Sequence, residues 1–474
     1  MPVKSAVTRY GAPGLLGQRR IALGAILLLS TASSLAADEW TDGIPPSSIA
    51  TSLPNNGDTG GIRKWLSERG LTYSFVYTGE VLGNVAGGLR RGGVYQGRLE
   101  GTVNADLEKI LGLRGLSFFV NGFQIHNTGG VRRDLTGSFT TISSIEALPT
   151  TRLSELWLEQ KLFNDTLSIR AGQLIADSDF FISDTSTFFM NSGWPSIFAL
   201  NMPSGGPSFP FAAPGVRMRY EPNKQVALLA AIYNGDPAGP GPEEPEIKNR
   251  HGVNYRVNDP PLLMGEAQYR YNQEKTDTGL AGILRVGFWH HFGEFDSQRF
   301  DNTGLSLANP FGSGIAARLR SNTGVYGVID QQIYRTAGGG PDSGVSIFSR
   351  VATSVPDRNP VQFYLDGGIV FNGMVPGRPD DRFGATFIYT QMSRDLAAFD
   401  RDTIFFTGMP QPVRDYELTL ALAYQAQIAP GWTVQPEFHY IMHPGGHIPD
   451  PNAAVPGAAL KDAAVFALRS TIKY

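Results

Sequence analysis

The sequence predicts an all-β fold: a transmembrane up-and-down antiparallel β-barrel of about sixteen strands, with a short N-terminal helical segment. Three observations predict it. Apolar and polar residues alternate with period two almost everywhere after residue 70. Short and long connections alternate between those segments. The chain carries the layout of an export signal, and after residue 36 it has no apolar run long enough for a membrane helix.

Residues 1–36 are expected to be a cleaved signal peptide. Arg19-Arg20 precede the uncharged stretch Ile21–Leu29, and Ser34-Leu35-Ala36 sets small residues at a cleavage position near Ala36. That stretch is too short to span a hydrocarbon core as a helix, which takes about 20 residues. Residues 37–70 read as a leader, expected in the periplasm. Asp58 is placed to cap a helix over Gly60–Arg69, with Ile62, Trp65 and Leu66 on one face and Gly70 as its stop.

Residues 71–474 are the expected barrel. The strand segments are 71–82, 93–110, 115–126, 151–163, 166–175, 214–221, 225–234, 262–272, 280–292, 322–335, 344–355, 361–373, 382–392, 414–428, 432–442 and 462–474. In the second, Tyr95, Leu99, Val103 and Leu107 oppose Gln96, Arg98, Glu100, Thr102, Asn104 and Asp106. Near the end, Leu418, Leu420 and Leu422 oppose Glu417 and Thr419, and Phe438 and Tyr440 oppose Glu437 and His439. Segments 115–126 and 225–234 are apolar on both parities, so their facing stays open. The short turns are 111–114, 164–165, 222–224, 374–381 and 429–431; the long links are 127–150, 176–213, 235–261, 293–321, 393–413 and 443–461. One trimmed and one elaborated rim is the habit of a membrane barrel.

A membrane barrel turns its apolar parity to lipid and its charged parity to a wet lumen. Tyr73, Tyr77, Trp432, Tyr440 and Tyr474 fit interfacial girdles. Every strand edge must be paired in lipid, so the last strand is expected to pair with the first. Composition excludes much else. With 474 residues and no cysteine, disulfides, thiolate metal sites, Fe–S clusters and Cys nucleophiles are out. A net charge of −3 offers no basic footprint for nucleic acid.

Several segments taken together resemble the carbohydrate-selective porins, the OprB-type outer-membrane family. They are Gly83-Asn84 with Gly87-Gly88, Asp106–Gly115 (DLEKILGLRG), Arg170–Phe180 (RAGQLIADSDF), Gly287–Asp296 (GFWHHFGEFD), Asp330-Gln331 and Val434–Gly446 (VQPEFHYIMHPGG). The resemblance implies a sixteen-stranded porin of the bacterial outer membrane that passes monosaccharides such as glucose and related small solutes. It also implies that link 176–213 folds inward as a constriction. Tyr474 is similar to the terminal aromatic residue that such barrels offer to the outer-membrane assembly machinery. Monomer and homotrimer both stay open.

Passive selectivity rests on pore width, lining charge and hydrogen-bonding groups. Wall positions of polar parity supply the candidates: Glu80, Arg98, Glu100, Arg170, Arg217, Arg219, Glu266, Arg270, Arg285, Asp330, Arg350, Asp366, Glu417, Glu437 and Arg469. Arginine forks suit vicinal hydroxyls as well as carboxylates and phosphates. Opposed Arg and Glu rows can equally neutralise each other across the lumen. A general or anion-preferring porin, or a plugged barrel acting through its outer loops, are the alternatives.

No enzyme is expected, and no cofactor. There is no Gly-x-Ser-x-Gly elbow, Walker loop or dinucleotide fingerprint. Glu155 and Glu159 share a strand face but are ordinary for a channel wall. His439, His443 and His447 have the spacing of a helical zinc site, but Pro444-Gly445-Gly446 forbid the helix, so no metal is expected.

Overall fold

The computed structural model describes residues 40–474, so the expected signal peptide lies outside the described residues. Sixteen antiparallel strands among them close into one barrel. They are β1 (Leu71–Ala86), β2 (Gly92–Asp106), β3 (Leu116–Asn127), β4 (Thr150–Leu162), β5 (Leu167–Leu174), β6 (Ala213–Tyr220), β7 (Val226–Asn234), β8 (Pro261–Tyr271), β9 (Gly282–Asp301), β10 (Ala316–Tyr334), β11 (Gly344–Ser354), β12 (Val361–Asn372), β13 (Arg382–Met392), β14 (Tyr416–Ala429), β15 (Trp432–Met442) and β16 (Ala463–Lys473). Each pairs with its chain neighbour, and β1 closes on β16 with Glu80 opposite Arg469 and Val76 opposite Lys473. No helix among the described residues is long and apolar enough to cross a membrane.

The alternation sorts the residues as lipid requires. Leu422 and Phe466 are 60% and 58% exposed on the outside, whereas Glu417, on the other parity of the same sheet, is 0% exposed. The sixteen segments are all present, with four departures at their ends. β1 runs on to Ala86. Residues Leu107–Leu111, expected as strand, form a one-turn helix because the Asp106 carboxylate caps the amides of Glu108 and Lys109. β9 and β10 extend to Asp301 and from Ala316, so the link between them is 302–315 rather than 293–321. A membrane strand needs about 9–11 residues; this 20- and 19-residue pair stands well above the rim. It is braced there by Arg299, which donates to Asp402 of the helix Arg394–Thr407 at 2.8 and 3.1 Å.

The N-terminal helix, α1 (Ile62–Glu68), is capped by Asp58 through the amides of Arg63 and Lys64 at 2.8 and 3.1 Å, which hold this carboxyl below its ordinary pKa. Its buried face differs from the expected one. Ile62 and Trp65 are exposed, and Arg63 is the buried residue, clamped between the rings of Tyr73 and Tyr474, each 4.6 Å from its guanidinium carbon. Tyr474 also donates to the Gly57 carbonyl at 2.7 Å. Two expected girdle tyrosines are therefore engaged in latching the leader to the barrel seam.

The interior is not an empty tube. The link between β5 and β6 includes a short helix (Ser196–Asn201) and buries Phe180, Phe181, Trp194, Ile197, Phe198 and Met202 against inner-wall residues Tyr233, Met264, Trp289, Tyr326 and Tyr364. The two strands of open facing are explained by this contact. Leu229, Ala231 and Tyr233 of β7 join that cluster, and Phe123 and Ile125 of β3 pack on Ala147 and Phe209. Their inward parity is apolar because a folded segment, not water, lies against it.

Candidate functional site

All fifteen candidate wall residues lie on the inward parity of the barrel, and they fall into two groups. Glu80, Arg98, Glu100, Arg217, Glu266, Arg285, Asp330, Arg350, Asp366, Glu417 and Glu437 are buried. Arg170, Arg219, Arg270 and Arg469 keep partial exposure.

The buried carboxylates hold inward-folded backbone. Glu417 accepts the amides of Phe139, Thr140 and Gly445 at 2.7, 2.5 and 2.7 Å. Glu266 accepts the Phe181 amide at 2.8 Å and the Tyr326 hydroxyl at 2.7 Å. Asp330 accepts from the Ser183 hydroxyl at 2.6 Å and from the Asp184 and Thr185 amides at 3.2 and 3.0 Å. Glu437 accepts the Met190 amide at 3.0 Å. Glu80 accepts from the Ser143 hydroxyl at 2.5 Å and from Arg469 Nε at 2.6 Å. Buried loop amides need acceptors when water is excluded, and a carboxylate can satisfy two or three at once. These positions were candidates for solute contact; the loops cover them.

Two ion pairs are sealed in the same way. Arg98 and Glu100 meet at 3.0 Å, with the Arg98 guanidinium over the rings of Phe123 and Phe209. Arg350 donates to Asp366 through Nε at 2.9 Å, and Tyr364 donates to the same carboxylate at 2.7 Å.

Arginines of both groups, the buried Arg217 and Arg285 with the partly exposed Arg170, Arg219 and Arg270, form a row along β5, β6, β8 and β9. Arg170 stands opposite Arg217 in the β5–β6 register. Arg170 reaches Glu159 at 3.0 Å and Asp179 at 3.5 Å, and lies 4.0 Å over the Trp157 ring. Arg217 reaches the same two carboxylates at 3.4 Å each. Arg219 and Arg270 share Glu221 at 2.9 and 3.3 Å. Arg285 bridges Asp184 and Asp330 at 2.7 Å each. Every arginine of the row thus has a carboxylate partner, which leaves a surface of alternating donors and acceptors with little net charge.

The partners Asp179, Asp184 and Glu221 were missed from sequence. Asp179 and Asp184 lie in the long link, where parity has no force; Glu221, just past the end of β6, shares the parity of Arg217 and Arg219 in the expected strand 214–221 and could have been read from it. Glu159 is on the inward parity and was legible. Asp177, also in the link, is partly buried; desolvation pushes its carboxyl up to about 7, against the Phe209 amide at 3.2 Å, its own amide and the charge of Arg98, which all lower it.

Of the three histidines, His439 follows its strand parity and the other two depart from expectation. His439 points inward and is fully buried, but His443 and His447 come together with Asp415, since a left-handed turn replaces the forbidden helix.

Comparison with known proteins agrees with this geometry. The model of the carbohydrate-selective porin, OprB family, matches residues 90–474. Porin B of Pseudomonas aeruginosa is 24% identical over 427 residues, covering 85% of this chain and 90% of that protein. The high-pH structure of Pseudomonas putida OprB superposes with a TM-score of 0.76 at 22% identity, over 88% of this chain and 98% of the other; the low-pH structure gives 0.51 at 17% identity, over 88% and 97%. A closed sixteen-stranded barrel with lipid-facing apolar parity, matched by that model over most of its length, places this chain in the OprB family of carbohydrate-selective porins of the bacterial outer membrane.

Proposed function

We propose that the chain passes small neutral sugars, of monosaccharide size, by passive diffusion through the water left between the inward-folded loops and the arginine row. Residues 176–213 act as the constriction, and Arg170, Arg219 and Arg270 with Glu159 and Glu221 form the solute-facing surface. Residues 1–36 are removed on export, and Tyr474 serves barrel assembly before it latches the leader.

The observation that carries this reading is the pairing of each arginine in the row with a carboxylate. A neutral polyol needs donors and acceptors at close spacing, with binding weak enough for release. An anion channel would instead leave guanidinium charge uncompensated. The matching family is described as carbohydrate-selective, which supports the same substrate class.

Liposome swelling with the mature protein across a panel of neutral sugars tests the proposal. Monosaccharides should enter faster than di- and trisaccharides. Absent swelling would indicate a plugged barrel, and a strongly anion-selective reversal potential in a salt gradient would favour the charged-solute alternative.

A further inference from the structure

We propose that Asp415, His443 and His447 form a binding site for a divalent transition-metal ion at the long-loop rim of the barrel. The site is independent of the sugar pathway. Asp415 immediately precedes β14 and His443 immediately follows β15, and the antiparallel register sets Leu418 opposite Met442, so the two residues meet where the strand pair ends.

The turn after His443 brings in the third group. His443 (φ 50°), Gly445 (φ 71°), Gly446 (φ 76°) and His447 (φ 73°) all adopt left-handed backbone. This conformation is uncommon for histidine, and two within five residues need a surrounding structure that fixes them. Here the Gly445 amide is tied to Glu417 at 2.7 Å, the Asp415 amide to the Gly446 carbonyl at 3.1 Å, and the His443 amide to Asp462 at 3.1 Å. A Cβ on Gly446 would meet Met392 Sδ at 2.7 Å, so the turn is seated against the wall.

As a result the two imidazoles stack at 4.2 Å between centroids, with both Nδ1 atoms turned to one carboxylate. His443 Nδ1 is 2.9 Å from Asp415 Oδ1, and His447 Nδ1 is 3.6 Å from Oδ2. The three ligand atoms lie within 4.8 Å of one another. Ligands about 2.0–2.2 Å from one ion stand roughly 3–3.5 Å apart, so small side-chain rotations complete the set. The side chains are 29–41% exposed, so a hydrated ion reaches them and keeps water in its remaining positions. Two imidazoles and one carboxylate select zinc, cobalt, nickel or copper over calcium or magnesium, which prefer all-oxygen shells. A bound ion would fasten the start of the β15–β16 loop to the base of β14.

The test uses the detergent-solubilised, chelator-treated barrel titrated with Co(II), read by its visible absorption, with Zn(II) as competitor. One ion per chain is expected, displaced by Zn(II). Asp415→Ala, His443→Asn and His447→Asn should each weaken binding at least about tenfold. Asparagine is chosen because it tolerates the left-handed backbone, and heat modifiability on gels checks that each variant is folded. Zinc should also raise the unfolding temperature of the parent barrel and not that of a folded His443→Asn/His447→Asn double variant. No Co(II) or Zn(II) binding by the parent, or undiminished binding by the folded double variant, would overturn the proposal.

Discussion

The carboxylates and the arginines of the inner wall occupy the same parity of neighbouring strands, yet they do different work. Glu417, Glu437, Glu266 and Asp330 are closed over by loop backbone whose amides they accept. Arg170, Arg219 and Arg270 stay partly open and are balanced by side-chain carboxylates. Burial accounts for the division. An inward-folded loop brings N–H groups that must be paired, and only an acceptor can pair them. Guanidinium groups are donors alone and cannot: Arg98, Arg217, Arg285 and Arg350 are buried only beside carboxylates, and Arg170, Arg219 and Arg270 are left on the wetter side of the wall. A charged residue on the lumen parity is thus a loop anchor or a solute contact according to its sign and to what lies over it.

The largest way to break this comparison is Glu417→Ala. It orphans three amides at about 1–3 kcal/mol each, so a loss of about 5 kcal/mol is expected in urea unfolding, with a wider or noisier channel. A near-neutral effect would show that the 128–149 link is not held by the wall.

Next comes pH dependence through Asp177. Its carboxyl is raised from 3.8 to about 7 by burial. The fold therefore favours the protonated form, and stability from this group is full below about pH 4, falls as pH rises to about 7, and is level above. Asp177→Asn should flatten that slope and stabilise the barrel at pH 8, by at most roughly 4 kcal/mol at about 1.4 kcal/mol per unit. Unfolding midpoints from pH 4 to 8 check it; an unchanged slope in the variant would assign the dependence elsewhere.

Leu420→Arg probes the opposite face of Glu417's own strand. A guanidinium against acyl chains near the midplane should cost about 2–4 kcal/mol. Tolerance there, in a heat-modifiability assay, would contradict the assigned facing. The smallest structural effect is expected from Arg270→Gln. Its pair with Glu221 is partly exposed and worth under about 1 kcal/mol, while sugar flux should change several-fold in liposomes.

The barrel was legible because lipid enforces its rule at every second residue, so all sixteen segments stand out. What escaped is whatever the loops decide. Segments 115–126 and 225–234 looked ambiguous because their inner faces serve Phe209 and the β5–β6 link rather than water. Glu417 read as a channel residue because nothing local announces that Phe139, 278 positions away, will donate to it. The candidate site was legible in its arginines, Glu159 and Glu221, fixed by parity, and illegible in Asp179 and Asp184 of the long link, which parity does not govern. The histidine spacing is plain in the sequence, but it points to a helix that Pro444-Gly445-Gly446 forbid, whereas those residues build the turn that joins His443 to His447.

Single-channel recording of two variants side by side tests the central claim most directly. In Asp330→Asn/Glu437→Gln, the anchors of the 175–212 segment are weakened; conductance should rise and discrimination between mono- and disaccharides should fall. In Arg219→Gln/Arg270→Gln, conductance should stay near that of the parent while sugar block weakens. The reverse pattern, with the anchor variant unchanged and the arginine variant widened, would contradict the division of the inner wall.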